Sequence, residues 1–233
     1  YLFISRFLAD GSLDTTFGNL SSGTVYLESA DGSLLNSAPS TPATPGFNFP
    51  YQGKLAVNQD GNIIFTSQGS GAGNQVVSKL TADGTFAGAT SFFPPGTGTT
   101  RGLVIQSDGT IVTAGATFES NDSDFTLSRL SSGLNLLGGT TTTALDGRLF
   151  ANDILIQTTP NNDEKILVVG QQDISGGGSN VVMVRYLSDG NIDTSFGDNG
   201  HVISSFAKYD YGNTAALQAD GKILVAVVSR NAG

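Results

Sequence analysis

Two kinds of alternating apolar and polar segment follow one another along the chain. The first reads apolar strand, Asp-Gly, apolar strand: LAVNQDGNIIFTSQ at 55–68, LVIQSDGTIVTAG at 103–115 and AALQADGKILVAVV at 215–228. A fourth copy, ILIQTTPNNDEKILVVGQ at 154–171, has a longer polar loop in place of the tight turn. The second kind carries one basic residue shortly before its turn: YLFISRFLADGSLDTTFG at 1–18, NQVVSKLTADGTFAGATSF at 74–92, DFTLSRLSSGLNLLGG at 124–139 and NVVMVRYLSDGNIDTSFGDNG at 180–200. Period-two alternation on both sides of a turn predicts a β-hairpin in each segment. Asp-Gly predicts two-residue type I′ turns, since Gly accepts a positive φ without a Cβ clash. No stretch has the length and periodicity of a long amphipathic helix.

One segment of each kind makes a four-stranded antiparallel meander. Copies of the first kind start 48, 51 and 61 residues apart, a period that suits a β-propeller blade. The chain opens on a segment of the second kind and stops after one of the first. Its two ends are therefore expected to complete one blade together, closing a small all-β propeller of four blades and removing two open sheet edges. The alternative is a piece cut from a larger propeller. Residues 1–233 read as a single β-propeller domain interrupted at 19–54, where an extra Asp31-Gly32 hairpin signal precedes a stretch holding Pro39, Pro42, Pro45 and Pro50. That stretch is expected to be extended and surface-lying.

The segments LADGSLDTTFG, LSDGNIDTSFG and ALQADGKILVA resemble the bacterial delta-60 repeat, a β-propeller repeat of large secreted or surface proteins. The resemblance covers nearly all of the chain outside 19–54, though the DxxFG ending is missing from 74–92 and 124–139. It implies a propeller fold and an exported location. It implies no catalytic activity, and no functional residues are carried over from it.

Composition narrows the partners. A formal net charge of −9 and a pI near 4.3 weigh against nucleic acid, which needs a basic patch, and against an anionic membrane surface. No apolar run approaches the roughly 18 to 20 residues of a membrane span. Eight of the 17 Asp residues precede Gly, so the acidity is largely turn chemistry. The absence of Cys removes disulfides, thiol catalysis and Cys-based metal sites. The chain begins at Tyr1 and is expected to be part of a larger polypeptide at a bacterial cell surface or outside the cell.

Candidate chemistry is sparse. His201 is the only histidine, so any Ser-His-Asp arrangement would have to use it and no multi-His metal site can be built. Glu28, Glu119 and Glu164 fall in loops or the insert and form no carboxylate pair of the kind that glycoside hydrolysis uses. Asp189, Asn191, Asp193 and Asp198 have the outline of a calcium loop but lack a closing bidentate Glu. Turn capping by their side chains is the simpler reading; no cofactor is expected, with calcium a minor alternative. Arg6, Lys79, Arg129 and Arg185 recur at one place in the second kind of segment and are assigned a structural part, each pairing with turn Asp residues or loop carbonyls. Aromatic residues within strands, such as Phe3, Phe7, Phe65 and Phe125, are expected in the core. Those expected outside strands, Phe47, Phe49, Tyr51, Phe92, Phe93, Phe118, Tyr209 and Tyr211, are the candidate ligand contacts. The resulting expectation is a non-enzymatic binding or adhesion module that recognises a glycan or a protein through loops of one propeller face. The alternatives are a spacer or tip domain of a surface adhesin or filament, and a propeller hydrolase or lyase.

Overall fold

The computed structural model describes residues 2–18, 22–27, 53–68, 75–92, 98–117 and 122–231. The chain is all-β: the described residues contain strands and turns but no α-helix. Tyr1–Phe93 and Pro94–Gly233 form two compact units.

The first unit holds β1 (Leu2–Ser5), β2 (Thr24–Leu27), β3 (Leu55–Val57), β4 (Ile63–Gln68), β5 (Gln75–Leu80) and β6 (Phe86–Phe92). β1 pairs antiparallel with β2, and β3 to β6 form one four-stranded meander in chain order. Phe17 and Val25 have no exposed surface and pack with Ile63, Phe65 and Leu80, which joins the short β1–β2 sheet to the meander. Burying each such side chain is worth about 1.5–3 kcal/mol. The Pro-rich stretch and the Asp31-Gly32 signal lie outside the described residues.

The second unit holds β7 (Thr99–Ile105), β8 (Ile111–Ala116), β9 (Phe125–Leu130) and β10 (Thr141–Thr143), which form a second meander. β11 (Arg148–Thr158), β12 (Glu164–Asp173), β13 (Ser179–Leu187) and β14 (His201–Ser204) form a third. β15 (Tyr209–Leu217) and β16 (Ile223–Arg230) pair with each other and join the third sheet through one parallel bridge, Ser179 to Tyr209. The core of this unit, including Phe125, Leu127, Leu149, Ile166, Val182 and Tyr186, lies between the second and third meanders. Tyr186 is fully buried, and burial pushes its phenol well above its ordinary pKa although Thr143 shares a 2.7 Å hydrogen bond with it.

No ladder among the described residues closes the sheets into a ring. Among the described residues β1 pairs only with β2, and β16 only with β15. Phe3 and Phe7, expected in the core, are 61% and 62% exposed, and among the described residues no strand lies along the other side of β1. Phe65 and Phe125 sit in buried clusters as expected.

The turns differ from the expected two-residue form. In the segment 8–12, Gly11 N–H donates to Leu8 C=O and Leu8 N–H donates to Ser12 C=O, which makes a type I turn closed by a left-handed residue. The pattern repeats at 58–62, 81–85, 106–110, 187–191 and 218–222, with φ of the closing glycines between +78° and +90°. The preceding Asp residues keep negative φ, so the type I′ expectation fails. The polar loop at 159–163 is the same turn with Asn162 at φ +64°, and 131–135 is the same turn with Leu134 at φ +65°. The Asp is selected by its carboxylate, which accepts the N–H two residues on: from Ser12 to Asp10 at 2.9 Å, from Thr110 to Asp108 at 2.8 Å and from Asn191 to Asp189 at 2.9 Å.

The side chains of Ser12, Thr81 and Lys222 at Asp10, Asp83 and Asp220, and the N–H groups of Thr110 and Asn191 at Asp108 and Asp189, hold these carboxyls below the ordinary carboxylate pKa. A carboxylate whose folded pKa lies below its unfolded one adds stability that is full above the unfolded value, about 4, and lost as pH falls through the folded value. The melting temperature should therefore change little between pH 8 and 5 on account of these groups and fall steeply below about pH 4. A melting temperature that stays level down to pH 2.5 would show that the turn carboxylates contribute nothing.

Candidate functional site

Polar side chains converge at two levels of the fold. The first level lies at the turns of the second kind of segment. Arg6 donates through Nε to Asp14 at 2.8 Å, stacks 4.6 Å from the centre of the Phe17 ring, and reaches the Ala82 carbonyl in the next meander's turn. Arg185 repeats the local part, with Nε 2.9 Å from Asp193 and the guanidinium 4.5 Å from the centre of the Phe196 ring. Arg129 repeats the reach, donating to the Asp189 carbonyl of the neighbouring turn at 3.0 Å. The turn glycines admit this approach: a Cβ on Gly84 would lie 2.8 Å from the Phe17 ring, and one on Gly190 would lie 2.9 Å from Arg129 Cδ. Lys79 lies at the same place on β5 and is half-buried.

Arg129 differs in one respect. Its backbone accepts from Leu137 N–H at 2.7 Å, just as Arg6 accepts from Asp14 and Arg185 from Asp193. Leu137 thus occupies the Asp position, and buried Arg129 Nε has no hydrogen-bond partner among the described residues. The missing DxxF ending of 124–139 is the sequence sign of this gap.

The second level lies on the first strand of each meander in the second unit. β7, β11 and β15 each carry a β-bulge, between Thr100 and Gly102, Ala151 and Asp153, and Gly212 and Thr214. The bulged residues are Arg101, Asn152 and Asn213. Arg101 donates to Asn152 Oδ1 at 2.9 Å, and Asn152 Nδ2 donates to the Gly212 carbonyl at 3.0 Å. Asp153 accepts from Thr214 Oγ1 at 2.6 Å and from Ala215 N–H at 2.9 Å. Three strands that share no ladder with one another are thus linked side by side. The bulges depend on close backbone approach, since a Cβ on Gly115 or Gly170 would lie about 2 Å from the Thr99 or Phe150 carbonyl oxygen. Bulges concentrate beside functional sites because they re-aim side chains. The sequence signal was a polar pair just before each apolar run (Arg-Gly, Asn-Asp, Asn-Thr), which breaks the period of two.

Three of the aromatic candidates lie among the described residues. Phe92 is buried, and Tyr209 and Tyr211 are half-buried strand residues of β15, which corrects their assignment as exposed loop contacts. Phe47, Phe49, Tyr51, Phe93 and Phe118 lie outside the described residues. Of the calcium candidates, Asp189 caps Asn191, Asp193 is held by Arg185 and Ser195, and Asp198 accepts from Asn199 at 2.9 Å. Among the described residues no three His, Cys, Asp or Glu side chains gather as metal ligands would. His201 lines a mainly apolar cavity of about 260 Å³ with Thr143, Leu145, Val184 and Ile192.

The sequence profile of a β-propeller domain of unknown function, DUF5122, matches residues 2–17 and 162–196, which supports a β-propeller family. No curated protein matches the chain at a significant level. Similar solved structures include a protein of unknown function from Bacteroides caccae, with 16% identity and a TM-score of 0.42 over 74% of this chain and 51% of the other. An exo-β-1,3-galactanase from Clostridium thermocellum shares 16% identity with a TM-score of 0.41 over 77% of this chain and 44% of the other. A GH43 β-1,3-galactosidase shares 13% identity with a TM-score of 0.47 over 93% of this chain and 53% of the other. The chain spans about half the length of these three proteins. The activities named among them are those of glycosidases, so the expectation of a non-enzymatic extracellular binding or adhesion module is withdrawn. At these identities and TM-scores the likeness assigns no activity to this chain.

The gap beside Arg129 yields a test. Leu137→Asp places a carboxylate where Asp14 and Asp193 serve the equivalent arginines, and should stabilise the chain by about 1 kcal/mol in urea unfolding. Loss of stability in Leu137→Asp, or the same gain in Leu137→Asp/Arg129→Met, would show that the pairing is not what matters.

Proposed function

We propose that the chain works as a closed four-bladed β-propeller of the delta-60 repeat type, and that it acts where bulged first strands gather, not on aromatic loops. Blade number and closure are inferred from unmatched strand positions. Ile64, Val112 and Leu167 lie opposite the basic residues Lys79, Arg129 and Arg185, and each is at most 1% exposed. Leu224 is the same position on β16 and is 53% exposed. On the other side, Leu80, Leu130 and Tyr186 are 0% exposed, whereas Phe7, their counterpart after β1, is 62% exposed. Among the described residues β16 has no third strand beside it and β1 has no second, and each is of the kind the other needs. This complementarity carries the reading.

The repeated register fixes the expected pairing. If Leu224 faces Arg6 as Leu167 faces Arg185, then Val225 faces Ser5. Opposed Cα atoms in an antiparallel pair lie about 4.5–5.5 Å apart, within disulfide reach. The chain has no cysteine of its own, so the pair Ser5→Cys and Val225→Cys is unambiguous. Mild oxidation should give a monomer with one internal disulfide, seen as faster non-reducing migration and raised thermal stability. Disulfide-linked dimers, or free thiols after oxidation, would overturn closure. Ser5→Cys paired with Leu224→Cys, one residue out of register, should cross-link much more slowly.

A further inference from the structure

We infer that the bulge cluster of the second unit is a binding site for a small neutral polyhydroxylated ligand of monosaccharide size. The inference rests on the reading that the chain acts at its first strands, although every residue used lies within Pro94–Gly233.

Three observations carry it. Arg101, Asn152 and Asn213 stand at one register position on three strands, each put there by a bulge that gives up ladder regularity. If the bulges served only to bend the strands, any side chain would do, yet all three residues carry planar, forked polar groups. The polar links also run in one direction and stop: Arg101 reaches Asn152, Asn152 reaches Gly212, and Asn213 is exposed with no side-chain hydrogen bond. Asn213 ends the row with an amide turned toward solvent beside the exposed Thr214. Finally, the charges balance. One guanidinium, Arg101, and one carboxylate, Asp153, stand on neighbouring strands, with the Asn152 amide beside Asp153 and the Asn213 amide and Thr214 hydroxyl on the next strand.

That set selects against ions. An anionic ligand would meet Asp153 and a cationic one Arg101. Adjacent hydroxyls both donate and accept, so they match amide forks that present one donor and one acceptor side by side. Asp153 is already engaged by Thr214 and Ala215 and so orients the bulge of β15, while Asn213 is the group free to meet a ligand. The Thr214 hydroxyl, donating to Asp153, still has lone pairs to accept.

The test is calorimetric titration of the wild-type chain with D-galactose, D-glucose, D-mannose and myo-inositol, each repeated with Asn213→Ala. Binding of at least one of them in the millimolar range is expected, and loss of the Asn213 amide should weaken it about three- to tenfold, the worth of one or two neutral hydrogen bonds. The melting temperature of Asn213→Ala should match wild type, since the side chain supports no other group. No heat from any of the four at 50 mM would overturn the site, as would affinity unchanged in Asn213→Ala. Tighter binding of glucuronate than of glucose would overturn the neutral assignment. The Ser5–Val225 disulfide separates this inference from ring closure: a cross-linked chain that binds no sugar keeps the ring and loses the site. A chain that binds sugar without cross-linking keeps the site and loses the ring.

Discussion

A five-residue turn with a left-handed glycine as its fourth residue governs the rest of this structure. It joins the two strands of a hairpin, fixes which residues face each other, and sets an Asp carboxylate against the N–H two positions on. Its glycine also leaves one side of the turn without a Cβ. On Gly84 and Gly190 that bare side is where Phe17 or Arg129 of the preceding segment packs. One local geometry thus determines register within a sheet and contact between successive sheets. The cost of a left-handed residue is lowest for glycine, which explains why Asp-Gly recurs while the residues around it vary. Asn162 takes the same role at moderate cost, and Leu134 does so while 7% exposed, its packing offsetting the strain.

Much of this architecture was legible in the chain. The strand pairs of the first kind of segment and the recurrent basic residue stand where alternation and Asp-Gly spacing put them, but the strands that pair with β1, β9 and β13 lie at Thr24–Leu27, Thr141–Thr143 and His201–Ser204, beyond the segments 1–18, 124–139 and 180–200 expected to hold them. The turn type was not legible, because Asp-Gly serves both the two-residue I′ form and the type I turn with a following left-handed glycine, and only φ at the Asp separates them. The burial of Phe3 and Phe7 was misjudged because alternation reports which face a residue shares, not whether a neighbouring strand covers it. The bulge cluster was missed for a related reason. A bulge inserts one residue into a regular period, and the eye reads Arg-Gly-Leu or Asn-Asp-Ile as the ragged start of a strand.

The two polar levels do different work. At the turns, each arginine is held by a carboxylate, an aromatic face or a carbonyl, and these partners are largely spent on fastening one sheet to the next. Such half-exposed pairs contribute modestly each, and their value lies in repetition. At the bulges, the links between β7, β11 and β15 leave capacity unspent at the Asn213 end. A fold built from near-identical units has few places where different side chains meet. The first strands are such a place, because the same position is filled by Arg, Asn and Asn on three successive sheets.

The β16 segment ILVAVVSR has alternate residues exposed, Leu224 and Val228 among them, and one side of its backbone is unpaired among the described residues. An apolar ribbon of this kind, with charge only at its far end, has the make-up of segments that stack into cross-β fibrils. Natural sheets rarely leave such an edge bare. Whatever covers this edge therefore bears on the solubility of the chain: left bare, β16 is a surface able to recruit its own kind.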